Sequence, residues 1–336
     1  MQIKEIDFVV AWVDGNDPQL NKLRLKYWQE QDQSSCTPKP NPPPSQYANN
    51  NEIIYCIASI LRNAAFVRRI HVITDRQTPA LEALADFGFS DAELAKISIV
   101  DHRDIFGNLA ELAPTFNAMS IETLIHRTPG LADHFVYMND DFFILKPTSP
   151  SDYFAAPETP IVNGKILPYS RTYLRIKLSL LDILKKRKNV RWSFLTGCMS
   201  GAMAAGLRFR YVCLDHSPRP MFRPILNEYF ESRPKVLRGN AKHRFRHHRQ
   251  FQPQALASCL SLNQGKLKVN RDTGVVGYIR PDSASGFDAQ FDALIDESGQ
   301  PPESMRFLCI QNLDQAKELE QMRLLTYLGS VLKADQ

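Results

Sequence analysis

Ile6-Asp-Phe-Val-Val-Ala-Trp-Val13 is a short apolar run stopped by Asp14-Gly15-Asn16-Asp17-Pro18. A run of this length, closed by Asp-Gly and Asp-Pro, predicts a buried strand followed by a turn. Arg69-Ile-His-Val-Ile-Thr-Asp75 and Ile97-Ser-Ile-Val-Asp101 repeat the pattern. His134-Phe-Val-Tyr-Met-Asn-Asp-Asp141 is a fourth such run, ending in acids. Between them, apolar positions 53, 54, 57, 60 and 61 fall on one helical face over Glu52 to Asn63. Leu20 to Gln33 and Asn117 to His126 also read as helices. Strands alternating with helices predict a mostly parallel α/β sheet, with ligands at the carboxyl ends of its strands. Three of the four strands end there in polar tips: Asp14, Asp75 and Asn139-Asp140-Asp141.

After Pro147 the pattern changes. Leu174 to Lys188 predicts a basic amphipathic helix with Leu178, Leu181 and Leu184 along one side. Ser193 to Leu207 is small and apolar, with Gly197, Gly201 and Gly206, and suits a tightly packed turn and helix. Asp215 to Pro224 is an extended, proline-bounded stretch containing His216. Gln254 to Leu262 and Leu313 to Leu332 read as helices. Cys36 to Ser45 holds five prolines in ten residues and reads as a surface loop. The expected division is an α/β core over residues 1–150, a basic helical segment over 151–250, and a C-terminal helical part over 251–336 packing on the core.

Composition narrows the class. A 336-residue chain with 43% hydrophobic and 23% charged residues can bury a sizeable core. No apolar window reaches the ~18 residues of a membrane span. The first residues carry acids where a secretion signal needs bases and an apolar stretch, so a cytoplasmic location is expected. Six cysteines without a CxxC pair read as reduced thiols. The net charge of +5 hides an asymmetry. Residues 165–250 hold 20 Lys/Arg against 4 Asp/Glu, a balance of +16 that leaves −11 for the remainder. Such a segment attracts polyanions.

Two adjacent carboxylates at a strand end, Asp140 and Asp141, cannot both be buried unpaired. Their hard oxygens suit Mg²⁺ or Mn²⁺ together with substrate phosphates. At the first strand, Gly15 permits close backbone approach to a ligand, and Asp14 sits at the sheet edge; an Asx turn closing the strand accounts for Asp14 equally well. His243-Arg-Phe-Arg-His-His-Arg249 supplies three guanidiniums that fit phosphate oxygens. Walker A, GxGxxG, GxSxG and HExxH sequences are absent, which removes support for P-loop kinases, Rossmann dehydrogenases, α/β-hydrolases and zincins.

Together these segments resemble the Stealth family of sugar-1-phosphate transferases. Ile6–Asp17 is similar to the family's first block. Glu52–Asn63 with Val67–Asp75 is similar to the second, and Phe116–Glu122 through Phe143 to the third. His216-Ser-Pro218 and His243-Arg-Phe-Arg246 resemble the fourth more loosely. The chain departs from the pattern at Val10-Ala11, Gln46, Asn49, Ala58, Ala118-Met119 and Gln250. The resemblance implies a fold like that of GT-A-type nucleotide-sugar enzymes, with the basic segment inserted. It implies transfer of a hexose-1-phosphate from a UDP-sugar to a hydroxyl of an anionic polysaccharide or oligosaccharide acceptor, with UMP released. Asp140 and Asp141 would hold Mg²⁺ or Mn²⁺. Arg246 would hold phosphate oxygens, with Arg244 or Arg69 as second choices. Either His216 or Asp141 would take the acceptor proton. Asp14 and Asn117 would position sugar or nucleotide, with Gly15, Asp75 and Asn139 beside them. The basic segment would meet the growing polymer and anionic lipid at the inner membrane face, and no nucleic acid is expected. Two other readings share the features: a GT-A-type glycosyltransferase releasing UDP, and a non-catalytic polyanion-binding protein.

Overall fold

The computed structural model of the chain describes residues 3, 5–32, 47–187, 193–283, 285–296 and 299–333. The Pro-rich stretch Cys36–Ser45 and Gln46 lie outside them. The strands are β1 (Ile6–Ala11), β2 (Val67–Thr74), β3 (Ile97–Asp101), β4 (His134–Asn139), β5 (Phe142–Ile144), β6 (Phe154–Ala156), β7 (Thr159–Pro168), β8 (Arg210–Leu214), β9 (Arg219–Phe222), β10 (Lys268–Asn270), β11 (Val276–Ile279) and β12 (Phe307–Ile310). The main sheet runs β3-β2-β1-β4-β9. Its first four strands are parallel, as the alternating pattern predicts, and β9 joins β4 antiparallel.

The runs that predict β1 to β4 are nearly continuous in apolar residues because the sheet is covered on both faces. Alternate side chains point to opposite sides. Phe8 and Val10 pack with Ile53, Ile57 and Ile60 of the helix Glu52–Asn63. Val9 faces the other layer, with Phe135, Tyr137, Ile225 and Leu256. Full burial of each such side chain contributes about 1.5–3 kcal/mol. At the tail, β12 pairs with both β5 and β11, and the helix Glu318–Leu332 buries Leu324, Leu328 and Leu332 in the same core as helix 52–63.

Residues 151–250 depart from the expected helical segment. They contribute the helices Arg171–Arg187, Phe194–Ala204, Arg223–Glu231 and Pro234–Ala241, but also β6 to β9. β7 anchors a second sheet with β6, β8 and β10, while β9 forms the edge of the main one. The division expected at residue 150 therefore cuts across the main sheet. The tail likewise carries three strands besides its helices. The Gly-rich helix Phe194–Ala204 packs tightly, as expected. A Cβ on Gly201 would lie 2.9 Å from the Leu256 nitrogen of the neighbouring helix Pro253–Asn263. In the helix Arg171–Arg187, Leu174 and Leu178 are buried, whereas Leu184, expected on the same side, is exposed.

Candidate active site

The carboxyl ends of β1, β2 and β4 open into a cleft of about 250 Å³. Register places Ala11 of β1 between Ile73 of β2 and Asn139 of β4, so the residues that follow each strand share one edge. Asn139, Asp140 and Asp141 line one wall, Trp12, Asp75 and His102 lie across β1, and Arg246 reaches in from the far loop.

The acid pair sits beside Glu52, the first residue of the helix Glu52–Asn63. Burial holds Asp140 well above the usual carboxylate range, with Asp141 and Glu52 adding repulsion. Asp141 is pushed up to about 7 by burial and then by Glu52. Its Oδ2 accepts a long contact from the Cys309 thiol at 3.8 Å, and its Oδ1 is buried without a hydrogen-bond partner among the described residues. Among the described residues no cluster of three His, Cys, Asp or Glu forms a ready-made metal cage. An orphaned carboxylate oxygen and mutually repelling acids nonetheless fit a divalent cation held by two carboxylates, the usual protein share of a Mg²⁺ site.

Arg246 is positioned by its neighbours. Phe245 is buried against Phe116 and Trp28, at ring centroid distances of 5.4 and 4.8 Å. Gln250, one of the positions where the chain departs from the family resemblance, ties the loop down. Its Oε1 accepts from the His247 backbone and from Asn117 Nδ2, both at 2.9 Å, and its Nε2 donates to Asn240 O at 2.9 Å. A carboxylate could not make that last bond.

Several expected residues take other places. Asn117 lines the cleft, but its amide is engaged with His243 O, Gln250 and the start of its own helix, so it positions the Arg246 loop and not a sugar. Asp14 Oδ1 accepts from Asn16 N at 2.9 Å, the Asx turn, and Val13 takes its place on the cleft wall. Gly15 is required by the chain itself: a Cβ there would lie 1.8 Å from Tyr47 O. Arg244 lies over the Tyr27 ring at 4.6 Å. Arg69 is exposed on β2, six residues before Asp75 and so about 20 Å from that end of the strand. His216 is half-buried against Tyr278 and Phe194, behind Phe142, which follows the acid pair. Burial, then Arg219 and Arg280, push it down to about 4, so it is neutral at pH 7.

The sequence reading placed Asp75 at this edge but missed Trp12, Glu52, His102 and Arg219. Trp12 Nε1, Asp75 Oδ2 and both ring nitrogens of His102 are buried without partners in one cleft. Each unmet buried polar group costs about 1–3 kcal/mol. Grouped at a strand edge, they are where a polar ligand would be bound. Arg219 is buried on β9 and within electrostatic reach of Asp141. No local spacing marks it, because register with Tyr137 of β4 puts it there.

Fold and site thus define an α/β protein with an acid-lined ligand cleft at the carboxyl edge of a parallel sheet. Residues 46–162 match the family description "Stealth protein CR2, conserved region 2". The receptor polysaccharide phosphotransferase WefC of Streptococcus gordonii is 35% identical over 261 residues, 73% of this chain and 74% of that protein. The chain belongs to the Stealth family of phosphotransferases. An exopolysaccharide phosphotransferase of Streptomyces coelicolor is 36% identical over 149 residues, 44% of this chain and 23% of its own. The capsular polysaccharide phosphotransferase WcwK of Streptococcus pneumoniae is 34% identical over 167 residues, 49% and 46% respectively. The chain therefore spans less than half the length of these two relatives. Among solved structures, the galactosyltransferase LgtC aligns over 98% of both chains at 12% identity, with a TM-score of 0.42. At that score the likeness supports no functional argument.

Proposed function

We propose that the protein transfers a hexose-1-phosphate from a UDP-sugar to a hydroxyl of a polysaccharide acceptor and releases UMP. The acceptor oxygen attacks the β-phosphorus, the bond from that phosphorus to the bridging oxygen breaks, and UMP leaves with that oxygen. The hydroxyl proton passes to a base. Developing charge lies on phosphoryl oxygens, so the chemistry demands positioning and neutralisation. Asp140 and Asp141 would hold Mg²⁺ or Mn²⁺, which when bound supplies positive charge to the diphosphate. Arg246 binds phosphate oxygens from the opposite wall. The proton acceptor in this reading is Asp141 in the cleft or, from behind Phe142, His216, which is neutral at pH 7. Trp12, Asp75 and His102 hold the nucleoside end.

The observation that carries this reading is the Asp140–Asp141 pair with its orphaned Oδ1, facing Arg246 across one cleft. The names of the relatives support phosphoryl transfer over glycosyl transfer. The test is incubation with a panel of UDP-sugars and an oligosaccharide acceptor, with and without EDTA. UMP release that EDTA abolishes is expected; UDP release would identify a glycosyltransferase instead.

A further inference from the structure

The helix Arg171–Arg187 has two apolar faces. Leu174 and Leu178 point into the protein, whereas Tyr173, Ile176, Leu180 and Ile183 are 53–60% exposed and Leu184 is 44% exposed. Their spacing of three and four residues forms one stripe along the outer side. Arg175 is exposed and Lys177 half-buried on either side of that stripe. A second exposed group adjoins the same helix. Phe209 is 77% exposed, the most exposed large apolar residue among those described, and exposed Arg208 and Arg210 flank it. Its carbonyl accepts from Tyr169 N at 2.9 Å, which holds this tip beside the start of the helix. An apolar stripe and an aromatic tip, both bordered by cations, have the chemistry of a surface that lies in the interface of an anionic bilayer.

Other occupants fit less well. A second copy would bring like-charged rims together. Residues 33–46 contain one lysine, no acid and no Leu, Ile, Val or Phe, so they offer neither apolar cover nor countercharge. We propose that Tyr173, Ile176, Leu180, Ile183 and Phe209 insert into the headgroup region of a membrane rich in anionic lipid, with the flanking cations on its phosphates. None of these five residues lines the cleft, and the proposal does not depend on the reaction proposed there.

The test is sedimentation with vesicles of phosphatidylcholine alone and of phosphatidylcholine with about 30 mol% phosphatidylglycerol, whose negative surface attracts each nearby Lys or Arg by about 1 kcal/mol. The full chain is expected to bind the anionic vesicles at least about tenfold more tightly than the neutral ones. Ile176→Ser with Leu180→Ser, and separately Phe209→Ser, should each weaken that binding about tenfold or more. All three positions are exposed, so melting temperature and turnover of a short soluble acceptor should not change. Equal binding to both vesicle types, or variants that bind as the wild type does, would overturn the proposal. So would a dimer in light scattering that the apolar variants dissociate, or an anionic polysaccharide whose binding, and not that of vesicles, depends on Ile176 and Leu180.

Discussion

In the proposed reaction, Asp141 couples activity and stability with opposite signs. Its folded pKa is raised to about 7, against an unfolded value near 4. Between those values the folded state keeps a proton that the unfolded state has lost, so stability falls as pH rises through the window. Above pH 7 the penalty reaches up to about 4 kcal/mol. Asp141→Asn should therefore raise the melting temperature of the metal-free protein at pH 8 while cutting turnover at least about 100-fold. Mg²⁺ or Mn²⁺ should stabilise the wild type and not the variant. A variant melting at or below the wild type would contradict the electrostatic reading. Asp75→Asn probes the other end of the cleft. It exchanges an acceptor oxygen for a donor, so the ratio of UMP to CMP affinity should change about tenfold or more. A change in stability alone, with that ratio intact, would make Asp75 structural. Asp140 and Asp141 could be read from sequence because adjacent acids after an apolar run carry their chemistry in the local string; among the clustered arginines, only the family resemblance singled out Arg246. Trp12, Glu52 and His102 could not be read so, since only burial across three strands leaves their polar atoms facing one space.

Elements varied in legibility for similar reasons. The helix Glu52–Asn63 matches its apolar spacing residue for residue. β9 was hidden by Pro220, which argues against a strand. It is nevertheless paired, opposite Val136, because β9 is the edge of the sheet and its missing N–H leaves no interior ladder bond unmade. β7 mixes polar and small residues over ten positions and matches neither strand pattern. The expected tight packing of the Gly-rich helix has a direct test. Gly201→Ala would press a methyl on the backbone of the helix Pro253–Asn263 and should lower stability by about 1–3 kcal/mol in urea unfolding. No loss would mean the two helices can part without strain.

Across the whole molecule, burial keeps several histidines neutral. His126 is pushed down to about 3, and His102 and His216 to about 4, in each case first by burial. Below pH ~6.5 the unfolded chain gains protons that the folded chain refuses, so stability falls with pH from there. The acid pair acts oppositely over part of the same range. In an Asp140→Asn, Asp141→Asn double variant, the urea midpoint should therefore fall from pH 7.5 to pH 5 more steeply than in the wild type. Equal slopes would count against the burial of these rings.

The pairing of β5 with β12 has a consequence for how the site comes into being. Asp141 O accepts from Ile310 N at 3.0 Å, and the Cys309 thiol faces its carboxylate. The acid pair is thus walled by residues about 170 positions further along the chain. A nascent polypeptide can register β1, β2, β3 and β4 on the ribosome, yet that wall is completed only after β12 has emerged. Such long loop closures are slow. Until then the carboxylates of Asp140, Asp141 and Glu52 lack that wall against water, which screens their charges. During synthesis, electrostatic strain therefore builds only once β12 can close that wall, after the strands that carry the acid pair have been made.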